Sequence, residues 1–419
     1  MKRRIKVLLI APYYDKNVPG ESWSTYKWVQ GVSEHCDVTV LTTHGKTWQQ
    51  GDSPCHPVEV VNWLDVALPD RLARINHEMA PGYFVFHHRA RKWMKRRIRS
   101  GWNFDIVHQI NPLALRYPSP AAGLGVPFII GPLAGSLSTP PGFASEGTDR
   151  QWFRKLRLFD KVRLRLDPFL RRTYSDAALV LGVAPYVQDL LAQNDLKRFV
   201  IMSETGVDAV PEGQKLEQSV SGPLKLLFVG RIIRTKGVLD AIRAVAYASQ
   251  TSSVRFDIIG DGEQLEECRR EVLRLGVETC VVFHGRLPRF EVDDFYRKAD
   301  VFLFPSFREP SGNVVFEAMS QGLPVITSTV GGPAFLVTND CGIRVPPTTP
   351  HEYAELLGSA IKRLTGNRAL VAEMSASARA RLSEVALWPS KIQHMLALYE
   401  QVIDKASLSR ALGPDIADS

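Results

Sequence analysis

The chain has 419 residues, 45% of them hydrophobic and 23% charged, which excludes a disordered or fibrous protein and leaves room for two or three globular domains. Its five cysteines, Cys36, Cys55, Cys268, Cys280 and Cys341, are odd in number and contain no Cys-x-x-Cys pair, so reduced cytoplasmic thiols are expected rather than a disulfide framework or a zinc site. The formal charge of +8 is uneven: residues 1–205 hold 28 Lys/Arg and 18 Asp/Glu (net +10), which leaves 24 and 26 of the 52 and 44 for the remainder (net −2).

Met1-Lys2-Arg3-Arg4 leads into the apolar run Ile5–Ala11, which stops at Pro12-Tyr13-Tyr14-Asp15. That run is short for a signal peptide and reads as a buried first strand. No run of 18 apolar residues occurs, so no spanning helix is expected. Strands in the first half are predicted at Lys6–Ala11, Val38–Thr42, Val58–Val61, Ile106–Gln109, Phe128–Gly131, Leu179–Val183 and Phe199–Met202. Gly20 and Glu21 sit just before a helical pattern from about Trp23.

Two basic stretches stand out. Residues 89–99 hold seven Lys/Arg, and residues 150–172 interleave nine with Trp152, Phe153, Leu156, Leu158, Phe159, Leu164 and Leu166. Two readings fit both stretches, a face for an anionic membrane surface and a solvated helix face. No nucleic-acid recognition motif accompanies the charge, so no nucleic-acid partner is expected.

The polar, turn-rich segment 206–223 marks a linker. Beyond it, strands are predicted at Lys225–Val229, Arg255–Ile259, Val281–His284, Val301–Pro305 and Pro324–Ser328. Runs rich in Val, Ile and Leu separated by helical patterns indicate parallel strands covered on both faces. The expected fold class is therefore α/β, with two doubly wound parallel sheets. The domains expected are 1–205, completed by a helix at about 389–405, and 224–388, with a tail at 406–419.

The second half carries the stronger signals. The strand ending at Val229 runs into Gly230-Arg231, and Thr235-Lys236-Gly237 precedes a helix from about Val238. A helix start at a strand's carboxyl end suits phosphate, and Arg231 and Lys236 add two charges; a surface loop with a solvated Arg and Lys is the alternative. Gly260-Asp261-Gly262 follows the next strand, either letting backbone approach a ligand or making a tight turn. The strand at Val301–Pro305 opens into Ser306-Phe307-Arg308-Glu309-Pro310-Ser311-Gly312-Asn313-Val314-Val315-Phe316-Glu317. Gly312, Asn313 and Val314 offer backbone N–H groups at a helix start, flanked by the carboxylates Glu309 and Glu317. A carboxylate beside a diphosphate accepts hydrogen bonds from sugar or ribose hydroxyls; alternatively both are acids favoured by the helix dipole.

Together with Gly331-Gly332, these motifs resemble the family-four retaining glycosyltransferases of the GT-B fold, in which two Rossmann-like domains face a cleft. The resemblance is specific over about 225–350 and looser elsewhere. It implies that Arg231 and Lys236 bind a donor diphosphate, that Glu309 contacts the donor sugar, and that Glu317 holds the ribose hydroxyls. It places Gly230, Gly260, Gly262, Ser311, Gly312, Asn313 and Val314 at the donor, with the amides near 312–314 on the phosphates. On the acceptor and phosphate side it implies Gly20, Glu21, His108, Gly131 and Gly135. The sequence departs from the family after the strand at Phe128, where many members carry a histidine and this chain reads Gly131-Pro132-Leu133-Ala134-Gly135-Ser136. His108 is read either as part of the site or as a satisfied core histidine.

No Asp-x-Asp occurs in the chain. Fixed cations and helix-start amides are expected to absorb the leaving diphosphate's charge, with no metal and no cofactor beyond the nucleotide-sugar co-substrate. A glycan, lipid-linked or other hydroxyl acceptor is expected, in cell-envelope or exopolysaccharide synthesis, on the cytoplasmic side and peripheral to the membrane. A GT-B nucleotide-sugar epimerase, a phosphorylase and a non-catalytic sugar-nucleotide-binding scaffold are the competing readings.

Overall fold

The computed structural model describes residues 3–18, 20–44, 58–66, 80–145, 162–211 and 222–412. The chain forms two compact units, one of Met1–Ser136, Lys155–Glu204 and Trp388–Ser419, the other of Leu137–Arg154 and Thr205–Leu387.

In the first unit, seven strands among the described residues make one parallel sheet. They are β1 (Lys6–Ile10), β2 (Asp37–His44), β3 (Glu59–Leu64), β4 (Ile106–Gln109), β5 (Phe128–Leu133), β6 (Leu179–Gly182) and β7 (Phe199–Ile201), in the order β3-β2-β1-β4-β5-β6-β7. Leu9 pairs with Val40 on one side and His108 on the other. The apolar runs are continuous because the central strands are buried on both faces, β4 and β5 completely. Helices α1 (Glu21–His35), α2 (Gly82–Arg99), α3 (Pro168–Asp176) and α4 (Tyr186–Leu190) connect them. α3 starts where its sequence says it should: Asp167 accepts from the Phe169 and Leu170 amides, and Pro168 occupies the first turn.

The terminal helix, Trp388–Leu412, belongs to this first unit. Trp388 meets Trp28 of α1 edge-on at 5.3 Å, and the Trp28 indole donates to the Glu204 carbonyl at 2.9 Å. The Lys391 ammonium lies over both indoles, 4.8 Å from Trp28 and 4.3 Å from Trp388, and burial pushes its pKa well down.

His108 ties β4 to that helix. Its Nε2 lies 2.8 Å from the Gly131 carbonyl, which can only accept, so Nε2 carries the proton. Nδ1 then accepts from the Tyr399 hydroxyl at 2.7 Å. The ring is fully buried, and burial lowers its pKa to about 4. His108 is thus the satisfied core histidine, and its placement on the acceptor and phosphate side is corrected: no solvent or substrate reaches it in this structure.

In the second unit, six strands among the described residues form another parallel sheet, ordered β10-β9-β8-β11-β12-β13. They are β8 (Leu224–Val229), β9 (Val254–Ile259), β10 (Val281–Gly285), β11 (Val301–Phe304), β12 (Val325–Ser328) and β13 (Gly342–Val345). The last has no counterpart among the predicted strands. Its helices are α5 (Val238–Ser249), α6 (Leu265–Leu275), α7 (Arg289–Lys298), α8 (Asn313–Ser320), α9 (Gly331–Leu336), α10 (Pro350–Thr365) and α11 (Arg368–Val385).

The first domain expected at 1–205 is interrupted, because residues 137–154 go with the second unit. The physical reason is Phe143, which is 1% exposed in the second unit's core against Phe307 and Tyr353.

A neutral buried histidine makes stability depend on pH with a defined sign. The folded pKa of about 4 lies below the ordinary 6.5, so the contribution is present above pH 6.5 and lost as pH falls toward 4. The stability gap between wild type and His108→Gln in urea melts is expected to narrow by about 2 kcal/mol from pH 7.5 to pH 5. A gap that holds constant contradicts the neutral core assignment.

Candidate active site

Three loops meet at the carboxyl ends of β8, β11 and β12. After β8 the chain makes a short turn, Arg234–Lys236, and then Gly237 adopts φ +75° before α5 begins. A Cβ on Gly237 falls 2.3 Å from the Pro305 carbonyl, so only glycine lets the two loops touch. The Ser306 hydroxyl donates to the Thr235 carbonyl at 2.9 Å, and the Phe307 amide donates to it at 3.2 Å. Ser328, at the end of β12, donates to the Ser306 carbonyl at 2.6 Å.

This stitching brings Lys236 and Glu309 together. Their ammonium and carboxylate form an ion pair, with side chains 17% and 12% exposed. The other Glu309 oxygen accepts from the Gly312 amide at 3.2 Å. Gly312 takes the left-handed φ of +85° directly before α8, and Asn313 and Val314 are that helix's first two residues. Their amides have no acceptor within the helix. The Asn313 Oδ1 is buried and has no hydrogen-bond partner among the described residues. Ser311 is half-buried beside them. A carboxylate thus lies between a cation and a helix-start amide, surroundings that suit an anion.

The Glu309 loop is braced from behind. The Gly332 amide donates to the Glu309 carbonyl at 3.0 Å. Gly331 has φ +78°, and a Cβ there falls 2.0 Å from the same carbonyl oxygen.

Glu317, within α8, is held separately. It pairs with Arg289 Nη1 at 2.6 Å and accepts from the buried Tyr296 hydroxyl at 3.1 Å. Arg231 is exposed at the mouth of the β8 loop. Its neighbour Arg234 is buried, paired with Asp240 through two contacts of 2.5 and 3.0 Å. The glycines have packing reasons. Gly230 has φ +154°, and a Cβ on Gly260 falls 1.8 Å from the Gly230 carbonyl, while one on Gly262 falls 2.3 Å from that of Ile232. The Gly260-Asp261-Gly262 turn therefore presses backbone against the Arg231 loop.

In the first unit, Gly20 is exposed with φ +85° and precedes α1. The Glu21 carboxylate accepts from the Leu113 amide at 2.9 Å. Burial raises its pKa to about 7; the Leu113 bond opposes the shift, and Glu204 adds to it. Glu21 can therefore exchange a proton near neutrality. Gly131 is buried, where a Cβ meets the Leu181 carbonyl at 2.3 Å, whereas the Gly135 amide donates to the Tyr186 hydroxyl at 3.1 Å at an open position.

The first basic stretch lies on α2. Arg89 and Arg91 are engaged: Arg89 donates to the Leu64 carbonyl at 3.0 Å and Arg91 to that of Pro120 at 2.9 Å. Lys92, Lys95, Arg96 and Arg99 are exposed. Of the second stretch, 150–161 lies outside the described residues. In its remainder Arg163 pairs with Asp167 at 2.9 Å, and Leu166 and Phe169 are 67% and 69% exposed. No described helix is long and apolar enough to cross a membrane.

Residues 212–381 match the family model described as glycosyl transferases group 1. A GDP-mannose-dependent alpha-mannosyltransferase of Mycobacterium tuberculosis is 31% identical over 323 residues, 74% of this chain and 76% of that protein. The chain belongs to the group 1 glycosyltransferases. An uncharacterized glycosyltransferase of Methanocaldococcus jannaschii is 35% identical over 130 residues, 31% of this chain. The chain spans only 33% of that relative's length and 53% or less of several other curated glycosyltransferases. Among solved structures, Anabaena HepE in complex with UDP aligns with a TM-score of 0.63 at 18% identity, over 95% of this chain and all of that one, which establishes the shared GT-B fold.

Motif reading of this group 1 glycosyltransferase passed over side chains that hold the predicted site residues in place. Arg289 and Tyr296, the partners of Glu317, come from α7, before β11 in sequence, so no local spacing links them to it. Arg234 sits inside the recognised motif, yet its burial shows only in three dimensions.

Gly331 offers a test of the bracing. Gly331→Ala is expected to cost about 1–3 kcal/mol in urea melts, the scale of overpacking, and to displace Glu309. Gly276→Ala is the control, because Gly276 shares a positive φ of +66° with open space around it. Equal costs for the two substitutions count against the brace.

Proposed function

We propose that this group 1 glycosyltransferase moves a hexose-type sugar from a nucleotide-sugar donor to a hydroxyl of a glycan or lipid-linked acceptor, with retention of configuration, in cell-envelope or exopolysaccharide synthesis. The observation that carries the proposal is the Lys236–Glu309 pair closed against the Gly312 amide. Two similar proteins support it, a GDP-mannose-dependent alpha-mannosyltransferase and HepE, whose structure holds UDP.

In this reading the donor's diphosphate takes Glu309's place beside Lys236 and the start of α8, with Arg231 joining from the β8 loop. Glu309, released, accepts from a sugar hydroxyl. Glu317, oriented by Arg289 and Tyr296, accepts from the ribose hydroxyls. The C1–O bond to the diphosphate breaks, and its electrons go to the leaving phosphate oxygen. The acceptor oxygen bonds C1 on the same face and passes its proton to that phosphate. Nucleoside diphosphate departs, and atoms and charge balance without an added metal. Lys236, Arg231 and the α8 amides stabilise the growing negative charge, and such preorganised donors need no reorganisation during the step. Gly20, Glu21 and Gly135 serve the acceptor side.

Lys236→Ala and Glu309→Ala are each expected to lower kcat by about 100-fold or more, the scale of losing one transition-state donor. The donor is first found by thermal shift against UDP-, GDP- and ADP-sugars, and acceptor-dependent nucleotide release is then assayed with a chelator present. A loss of tenfold or less in both variants, or activity that returns only with added metal, refutes the proposal.

The exposed cations of α2 and the apolar Leu166 and Phe169 support peripheral contact with an anionic leaflet, at about 1 kcal/mol per surface charge. Salt-sensitive co-sedimentation with phosphatidylserine vesicles is expected. Equal partitioning onto neutral vesicles contradicts the contact.

A further inference from the structure

Phe143 belongs to a segment that no donor motif contains. Its turn, Pro141–Phe143, packs within the second unit so closely that a Cβ on Gly142 falls 1.7 Å from the Thr348 carbonyl. The Phe143 ring meets that of Phe307 at 4.3 Å and the Tyr353 ring edge-on at 5.8 Å. The Arg234 guanidinium rests against both phenyl rings, 5.1 Å from Phe143 and 5.2 Å from Phe307. Arg234 opens the turn that ends in Lys236, and Phe307 stands two residues before Glu309. Tyr353 reaches the same loop by donating to the Pro305 carbonyl at 3.1 Å. Arg308, which follows Phe307, donates to the Thr139 hydroxyl at 3.4 Å.

The Arg234 guanidinium, 4% exposed, pairs with Asp240. Being planar and weakly hydrated, it gains from aromatic faces that an ammonium would use less well. Phe307 supplies one face from the β11 loop, and Phe143 supplies the other from outside both loops.

We infer that Phe143 is a positioning residue for the Lys236–Glu309 pair, its ring locking the Arg234 turn and the Phe307–Glu309 loop into one arrangement. The catalytic consequence rests on the proposed function above, whereas the locking does not. Phe143 touches no group that reacts; it acts through Arg234 and Phe307.

The test is hydrogen exchange by mass spectrometry on the full chain without ligand, comparing wild type, Phe143→Ala and Phe143→Leu. In both variants the amides of 231–237 and 307–312 are expected to exchange about five- to tenfold faster, the scale of one desolvated cation–π contact, while β8 and β11 hold their protection. Leucine refills much of the volume without an aromatic face, so the Leu variant is expected to keep its melting temperature and still loosen both loops. Its kcat, with UDP-glucose or GDP-mannose according to which the wild type uses, is expected to fall about tenfold with little change in KM. Unchanged loop exchange, a uniform rise across the sheet, or full restoration by leucine overturns the inference. If the loops loosen while Lys236→Ala keeps full activity, the lock stands and the donor-site reading falls.

Discussion

An ammonium and a carboxylate, carried by loops 73 residues apart, close on one another beside the start of α8. The pair is mostly shielded from water, and burying two charges costs about as much as their attraction returns. Its net value to the fold is therefore small. Glu309 occupies the position of an anion, between Lys236 and the Gly312 amide. The surrounding structure serves this arrangement: Gly237 lets the first loop touch Pro305, Gly332 anchors the Glu309 carbonyl, and Ser306 and Ser328 tie three strand ends together.

The two titratable groups singled out in the first unit show how burial decides role. Both Glu21 and His108 are driven toward their neutral forms, the first upward to about 7 and the second downward to about 4. Glu21 stands at the first turn of α1, next to an exposed glycine, whereas His108 is enclosed between Gly131 and Tyr399. A similar shift thus marks a half-buried helix-start carboxyl in one case and a fully enclosed structural tie in the other.

Most strands were legible because parallel strands covered on both faces are apolar where they are buried, as residues 7–10 and Val301–Phe304 are. β13 escaped because it is four residues long, lies at the sheet edge, and carries an exposed arginine and a glycine. In the site, Lys236, Glu309 and Gly312 were legible because one strand–loop–helix pattern fixes each of them locally. Arg289 was not, since its link to Glu317 is a contact between two helices. The allegiance of 137–154 was equally hidden: Phe143 is one aromatic in a Pro- and Gly-containing loop, and nothing nearby in sequence says that Phe307 and Tyr353 receive it.

The place of Trp388–Leu412 in the first unit has a consequence for biosynthesis. Trp28 leaves the ribosome long before Trp388 and Lys391, which complete its surroundings. The second sheet, by contrast, has all six of its described strands once Val345 has emerged. Domains generally fold as units during translation, the earlier one first. Here the order is reversed for the final packing, and the first unit's sheet keeps an unfinished apolar flank until the helix Trp388–Leu412 has emerged, an interval in which a chaperone has something to hold.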